Sequence, residues 1–293
     1  MPFIVGVPRS GTTLLRLMLD AHPELCIPPE THFLPGLLKL GGETAGTCEP
    51  FFRAVTEFET WDDFNLSADE FARVLKEIDP FVISEGVRAF YRLYAARFGK
   101  KRWGDKTPPY SLFLREVESI LPEAHFIHLI RDGRDVALSV RKLWFAPGRD
   151  IETIARDWCS RIQTARAGGK ECRSNLEIRY EDLVRNPIEQ LKKICAFLGL
   201  DYHSNMETYY HFSQARLSEV KSRYRSDGTL LISKEERLFN QRFTNFPPDR
   251  SRIFRWKREM EKRDLLEFER IAGKTLEELG YEITSPKSDW ING

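Results

Sequence analysis

The chain has 293 residues, 41% of them hydrophobic, and its 45 basic and 44 acidic side chains leave a net charge of +1. A balance this close excludes a global field that would draw it to nucleic acid, and five scattered cysteines, odd in number and without metal-ligand spacing, exclude a disulfide framework and imply no metal. The length suffices for a full core and predicts one α/β domain over residues 1–293.

In chain order, Phe3, Ile4 and Val5 predict a buried strand over 3–6, with Met1 only two residues before it. No basic-then-apolar leader and no long apolar span stands there or later, which reads as a cytosolic chain without stable membrane insertion. Gly6, Pro8, Ser10 and Gly11 then bend a loop, and Leu14, Leu15, Met18 and Leu19 recur at helical spacing. The free amides of the first helical turn and the helix dipole favour an anion in that loop. The string GVPRSGTT nearly fits the nucleoside-triphosphate loop, but Thr12 stands where its lysine belongs. Arg9 supplies the cation instead, and its planar fork suits a tetrahedral oxyanion.

Short strands follow over 25–27, 101–104, 125–130 and 175–179, each with a helical pattern after it. That alternation predicts a mostly parallel sheet flanked by helices. In FIHLIRDGRDVALSV, Arg131 stands at the carboxyl end of the third of these strands, the edge where open α/β sheets bind ligands. Ser139, about a turn and a half into the following helix, faces the same crevice, and the two make a second phosphate site.

Together, PRSGTT and LIRDGRDVALS resemble the two signatures of sulfotransferases that use 3′-phosphoadenosine 5′-phosphosulfate (PAPS). The resemblance implies a P-loop nucleotide-kinase-like fold, with the first loop on the 5′-phosphosulfate and the second on the 3′-phosphate. IPPETHFL, WGDKTP and RYEDLVRNP are similar to further segments of the tyrosylprotein branch and its bacterial relatives. Residues 36–100 and 200–250 match nothing in that pattern.

The resemblance assigns roles. Arg9 with Ser10, Gly11, Thr12 and Thr13 would grip the sulfonate, Lys106 would stabilise the leaving oxygen, and Glu30 would take the acceptor proton. His32 is the rival base, because other branches use histidine. Tyr180 is a candidate for the adenine, and Arg255 with Trp256 for the 3′-phosphate side. The basic stretches Lys221–Arg225 and Arg250–Arg263 read mainly as solvated faces, and Phe51, Phe52, Phe58, Trp61 and Phe64 as helix core more readily than as an acceptor wall. The expected partner is a hydroxyl-bearing small molecule, glycan, lipid or peptide tyrosine. A small-molecule kinase and a nucleotide-binding module without chemistry are the rival classes.

Overall fold

The computed structural model describes residues 1–40, 47–225 and 227–290. Strand β1 (Pro2–Val5) leads through the glycine loop into helix α1 (Thr12–Asp20), and β2 (Leu25–Cys26) follows. Four helices then intervene, α2 (Leu34–Leu37), α3 (Glu49–Thr56), α4 (Ala68–Lys76) and α5 (Ile83–Ala96), before β3 (Arg102–Trp103) and β4 (Asp105–Lys106). Helix α6 (Leu114–Ile120), β5 (His125–Ile130), α7 (Gly133–Val140), α8 (Ile151–Glu171) and β6 (Asn175–Arg179) continue the alternation.

The main sheet has the order β4-β1-β5-β6, and every described pair in it is parallel. The strand expected over 101–104 is β3, which pairs with β2 apart from the main sheet, whereas β4, beyond those bounds, pairs with β1. Gly104 is the crossing point, since a Cβ there would lie 2.7 Å from both Pro2 Cγ and Pro2 O. One stretch of chain therefore links the two sheets, and the carboxyl ends of β1, β4, β5 and β6 point to the same edge.

Both faces of the sheet are covered, as an all-parallel sheet requires. On β1, Phe3 and Val5 join one core cluster with Phe33, Phe64 and Phe90, while Ile4 joins another with Leu15 and Ile127. A third cluster gathers Val136, Trp158 and Phe268 around the start of α7. Gly133 opens that helix because a Cβ would meet the Trp158 ring at 2.5 Å. Phe51 and Phe64 are buried and Phe52, Phe58 and Trp61 pack against them, so this aromatic group belongs to the core.

The carboxyl-terminal third is helical: α9 (Tyr180–Arg185), α10 (Pro187–Leu198), α11 (Tyr210–Leu217), an antiparallel hairpin β7 (Arg223–Tyr224) and β8 (Leu230–Ile232), α12 (Lys234–Gln241), α13 (Trp256–Glu259) and α14 (Lys262–Glu278). Arg237 of α12 holds Asp63 with both carboxylate oxygens, at 2.9 and 2.7 Å, tying this part of the chain to the segment before α4. Among the described residues no helix is long and apolar enough to cross a membrane.

Candidate active site

A cleft of about 500 Å³ opens at the carboxyl edge of the sheet, lined by the glycine loop, Glu30, Lys106, Arg131 and the segment around α12. Of the residues singled out in the sequence, Arg9, Gly11, Thr12, Thr13, Glu30, His32, Lys106, Arg131, Ser139 and Tyr180 all line it.

Helix α1 begins without a side-chain cap, on Gly11 at φ +94. The first turn therefore presents unpaired amides and the positive end of the dipole to the cleft. Gly11 has a second reason to be glycine: a Cβ would lie 2.4 Å from the Tyr180 ring, which packs against the loop. Ser10 differs from expectation. Its amide closes the loop onto Val7 O at 3.1 Å, and its side chain is buried below the cleft lining.

Arg9 links the two expected anion sites. Its backbone stands at φ +74, a conformation that costs a non-glycine residue about 1–2 kcal/mol and here turns the side chain out of the loop. Arg9 Nε donates to Ser139 Oγ at 3.0 Å and Nη2 to Asn240 O at 3.2 Å. Arg131 donates to Arg9 O at 3.1 Å and to Arg252 O at 2.8 Å, and its guanidinium lies 4.3 Å over the Tyr180 ring. The two signatures thus meet around one guanidinium. Burial pushes Arg9 down to about 10, and the like charges of Arg131, Arg252 and Arg242 push the same way, while Glu30 opposes them. A bound polyanion would relieve that crowding.

At the other side of the loop, Lys106 Nζ contacts Glu30 Oε1 and lies 3.4 Å from Thr13 Oγ1, in the first turn of α1. His32 Nε2 lies 2.9 Å from Glu30 Oε2. Burial raises the Glu30 carboxyl, yet the Lys106 ammonium and His32 outweigh it and hold the group well below the ordinary carboxylate range. Burial lowers Lys106. With His32 at φ +59, Glu30 and His32 line the cleft while Thr31 between them is buried. There Thr31 Oγ1 donates to the buried Asp105 at 2.8 Å and meets Tyr110 OH at 2.8 Å, and Tyr91 OH donates to the same Asp105 oxygen at 2.9 Å.

Two expected contacts stand elsewhere. Trp256 is buried beneath the second signature, its Nε1 donating to Asp132 at 3.0 Å, its amide to Asp135 at 2.9 Å, and its ring 3.6 Å under Arg134. Arg255 pairs with Glu259 at 3.5 Å. Neither lines the cleft; Arg252, three residues earlier, does, stacked 3.8 Å over Phe243. Arg252 belongs to a basic run that resembles a solvated face, and only the fold brings Phe243 and Arg131 to it. Arg223 and Arg237, from the segment that matched no pattern, also line the cleft.

Residues 3–204 match the profile of the sulfotransferase family. The chain is 30% identical over 221 residues to nodulation protein NoeE of Sinorhizobium fredii, covering 68% of this chain and 50% of that protein. It is 30% identical over 210 residues to protein-tyrosine sulfotransferase A of Caenorhabditis elegans, again covering 68% of this chain and 50% of the relative, so it spans half the length of each. The solved sulfotransferase domain from the curacin biosynthetic pathway superposes with a TM-score of 0.60 at 20% identity, over 97% of this chain and 98% of that one, a likeness of fold. With its loop, its second signature and its fold all accounted for, the chain belongs to the sulfotransferase family.

Proposed function

We propose that the chain transfers the sulfonate of PAPS to an acceptor hydroxyl and releases adenosine 3′,5′-bisphosphate. The observation that carries this reading is the sharing of one cleft by an uncapped helix start, a cluster of arginines and a lysine–carboxylate pair. A donor with phosphate at both ends of an adenosine uses all of these. Arg131, Ser139 and Arg252 would hold the 3′-phosphate, and Tyr180 beside Gly11 the nucleoside. The amides of Thr12 and Thr13, with Arg9, would hold the phosphosulfate.

In the reaction the acceptor oxygen forms a bond to sulfur as the bond from sulfur to the phosphate oxygen breaks, with in-line positioning supplying much of the acceleration. Lys106 offsets charge on the departing phosphate oxygen, and Glu30 receives the hydroxyl proton. His32 holds the second Glu30 oxygen and so positions the base. The reading includes one domain over 1–293 and a cytosolic setting, supported by five free cysteines. The kinase alternative has no support in the loop, where Thr12 replaces the lysine that would reach a nucleoside triphosphate.

The test is a mass-spectrometric screen with PAPS and hydroxyl-bearing acceptors, namely alcohols, glycans, lipids and tyrosine peptides. An added sulfonate with stoichiometric bisphosphate release supports the reading. Turnover of magnesium-ATP instead of PAPS overturns it.

A further inference from the structure

Glu30 has no carboxylate oxygen clear of a partner. Oε1 is held by Lys106 and Oε2 by His32 at 2.9 Å; each oxygen keeps a second lone pair, but the two contacts stabilise the ionised carboxylate and so weaken it as a general base. Lys106 in turn stands between two claims. Its ammonium touches Glu30 and lies 3.4 Å from Thr13 Oγ1, at the mouth of the anion cradle. The Lys106 side chain is 4% exposed, so water compensates little of its charge.

We infer that Lys106 is shared: it caps Glu30 until the 5′ end of a donor enters the cradle, and then leaves Glu30 for the donor, so that donor binding uncovers the base. The inference rests on the sulfotransferase reading and adds a coupling to it. Glu30 is an idle, well-solvated-by-cation carboxylate in the free enzyme and becomes a stronger base only when there is a sulfonate to transfer. Proton removal from an acceptor hydroxyl is then favoured once the donor has drawn Lys106 away, because Glu30 is the stronger base in that state.

Other charges near the pair do not supply the same switch. Arg9 acts on Glu30 from the loop, His32 from its own segment, and Arg16 of α1 with Asp105 of β4 acts on Lys106. Arg16 Nε is held by Ile27 O at 3.0 Å and Asp105 faces the buried hydroxyl network, leaving Lys106 as the cation that bridges base and cradle.

Linkage makes the coupling reciprocal. If a ligand in the cradle draws Lys106 away and raises the Glu30 pKa, ionised Glu30 must weaken that ligand's binding by the same factor. From sequence alone, Glu30→Gln leaves donor affinity unchanged, because the side chain faces the acceptor. The shared lysine reverses that expectation.

The experiment is calorimetric titration of the full chain with adenosine 3′,5′-bisphosphate at pH 5 and pH 7, each in two buffers of different ionisation enthalpy. Glu30→Gln is expected to bind the bisphosphate about 5-fold or more tightly than wild type at pH 7. At pH 5 the wild type is expected to take up more protons per ligand than Glu30→Gln, whose ligand phosphates titrate identically. In Lys106→Met the base is uncovered from the start, so the excess proton uptake disappears although Glu30 is intact. Equal affinity and equal proton uptake in wild type and Glu30→Gln overturn the coupling and leave the sulfotransferase reading standing. Failure of the wild type to bind the bisphosphate at all overturns the reading itself.

Discussion

Arg9 Nε donates to Ser139 Oγ at 3.0 Å across 130 positions of sequence, so the two signatures of the chain share a hydrogen bond. Arg131 reinforces the join by donating to the Arg9 carbonyl. The anion site is therefore one unit built from two loops.

Ligand-induced stabilisation follows from this unit. Adenosine 3′,5′-bisphosphate should raise the unfolding temperature, corresponding to about 2.7 kcal/mol at a ligand concentration 100-fold above Kd. Magnesium-ATP, which lacks the 3′-phosphate, should give a much smaller shift in differential scanning fluorimetry. Equal shifts with the two ligands would remove the argument for a bisphosphate site.

Arg131→Ala deletes a cation that both faces the cleft and fixes the Arg9 and Arg252 carbonyls. Affinity for the bisphosphate should drop by about 1.5–3 kcal/mol. Calorimetric titration measures it, and an unchanged Kd would move the 3′-phosphate away from β5.

Trp256→Phe separates support from contact. The indole donates to the Asp132 carboxylate that also receives Arg134, and all three groups are buried. Losing that donor should cost about 1–3 kcal/mol of stability in urea unfolding while bisphosphate affinity stays near wild type. A large loss of affinity with intact stability would restore Trp256 to the nucleotide.

For the base, Glu30→Gln should lower turnover of an alcohol acceptor roughly 10²- to 10⁴-fold, and His32→Asn far less, since His32 acts through Glu30. A phenol already ionised near neutral pH would mask the difference. An active Glu30→Gln with an inactive His32→Asn would assign proton transfer to the histidine.

The same carboxylate links stability to pH. Its folded pKa lies below the unfolded one, so the stability it contributes is present above the unfolded value of about 4.3 and is lost as pH falls through the folded value. The gap in melting temperature between wild type and Glu30→Gln should accordingly narrow as pH is lowered from 6 to 3. A gap that widens instead would show Glu30 to be held protonated.

What could be read beforehand was local. The strand, loop and helix around Gly11 and the turn after Ile130 depend on neighbours within a dozen residues, and both stand where their spacing puts them. Glu30 and Lys106 were identifiable through motif similarity, and the fold sets them in contact. The failures are all long-range. The direction of the Arg9 side chain depends on a positive φ that no residue preference announces. Trp256 looks like a ligand contact until Asp132 and Arg134 are seen above it, 124 and 122 positions away in the chain, and Arg252 looks solvated until Phe243 stacks on it. The passage from one sheet to the other at Gly104 depends on Pro2, a residue at the far end of the sequence.

Thr31 lies between the two cleft-facing residues Glu30 and His32, fully buried and bonded to Asp105, Thr107 and Tyr110. The position of Glu30 is consequently tied to the protein interior, and a substitution as small as Thr31→Val removes a buried hydroxyl on which its backbone neighbours depend. Arg223, Ile232 and Leu238 line the same cleft from the carboxyl-terminal part of the chain, so substitutions there change the cleft without touching the Thr31 network.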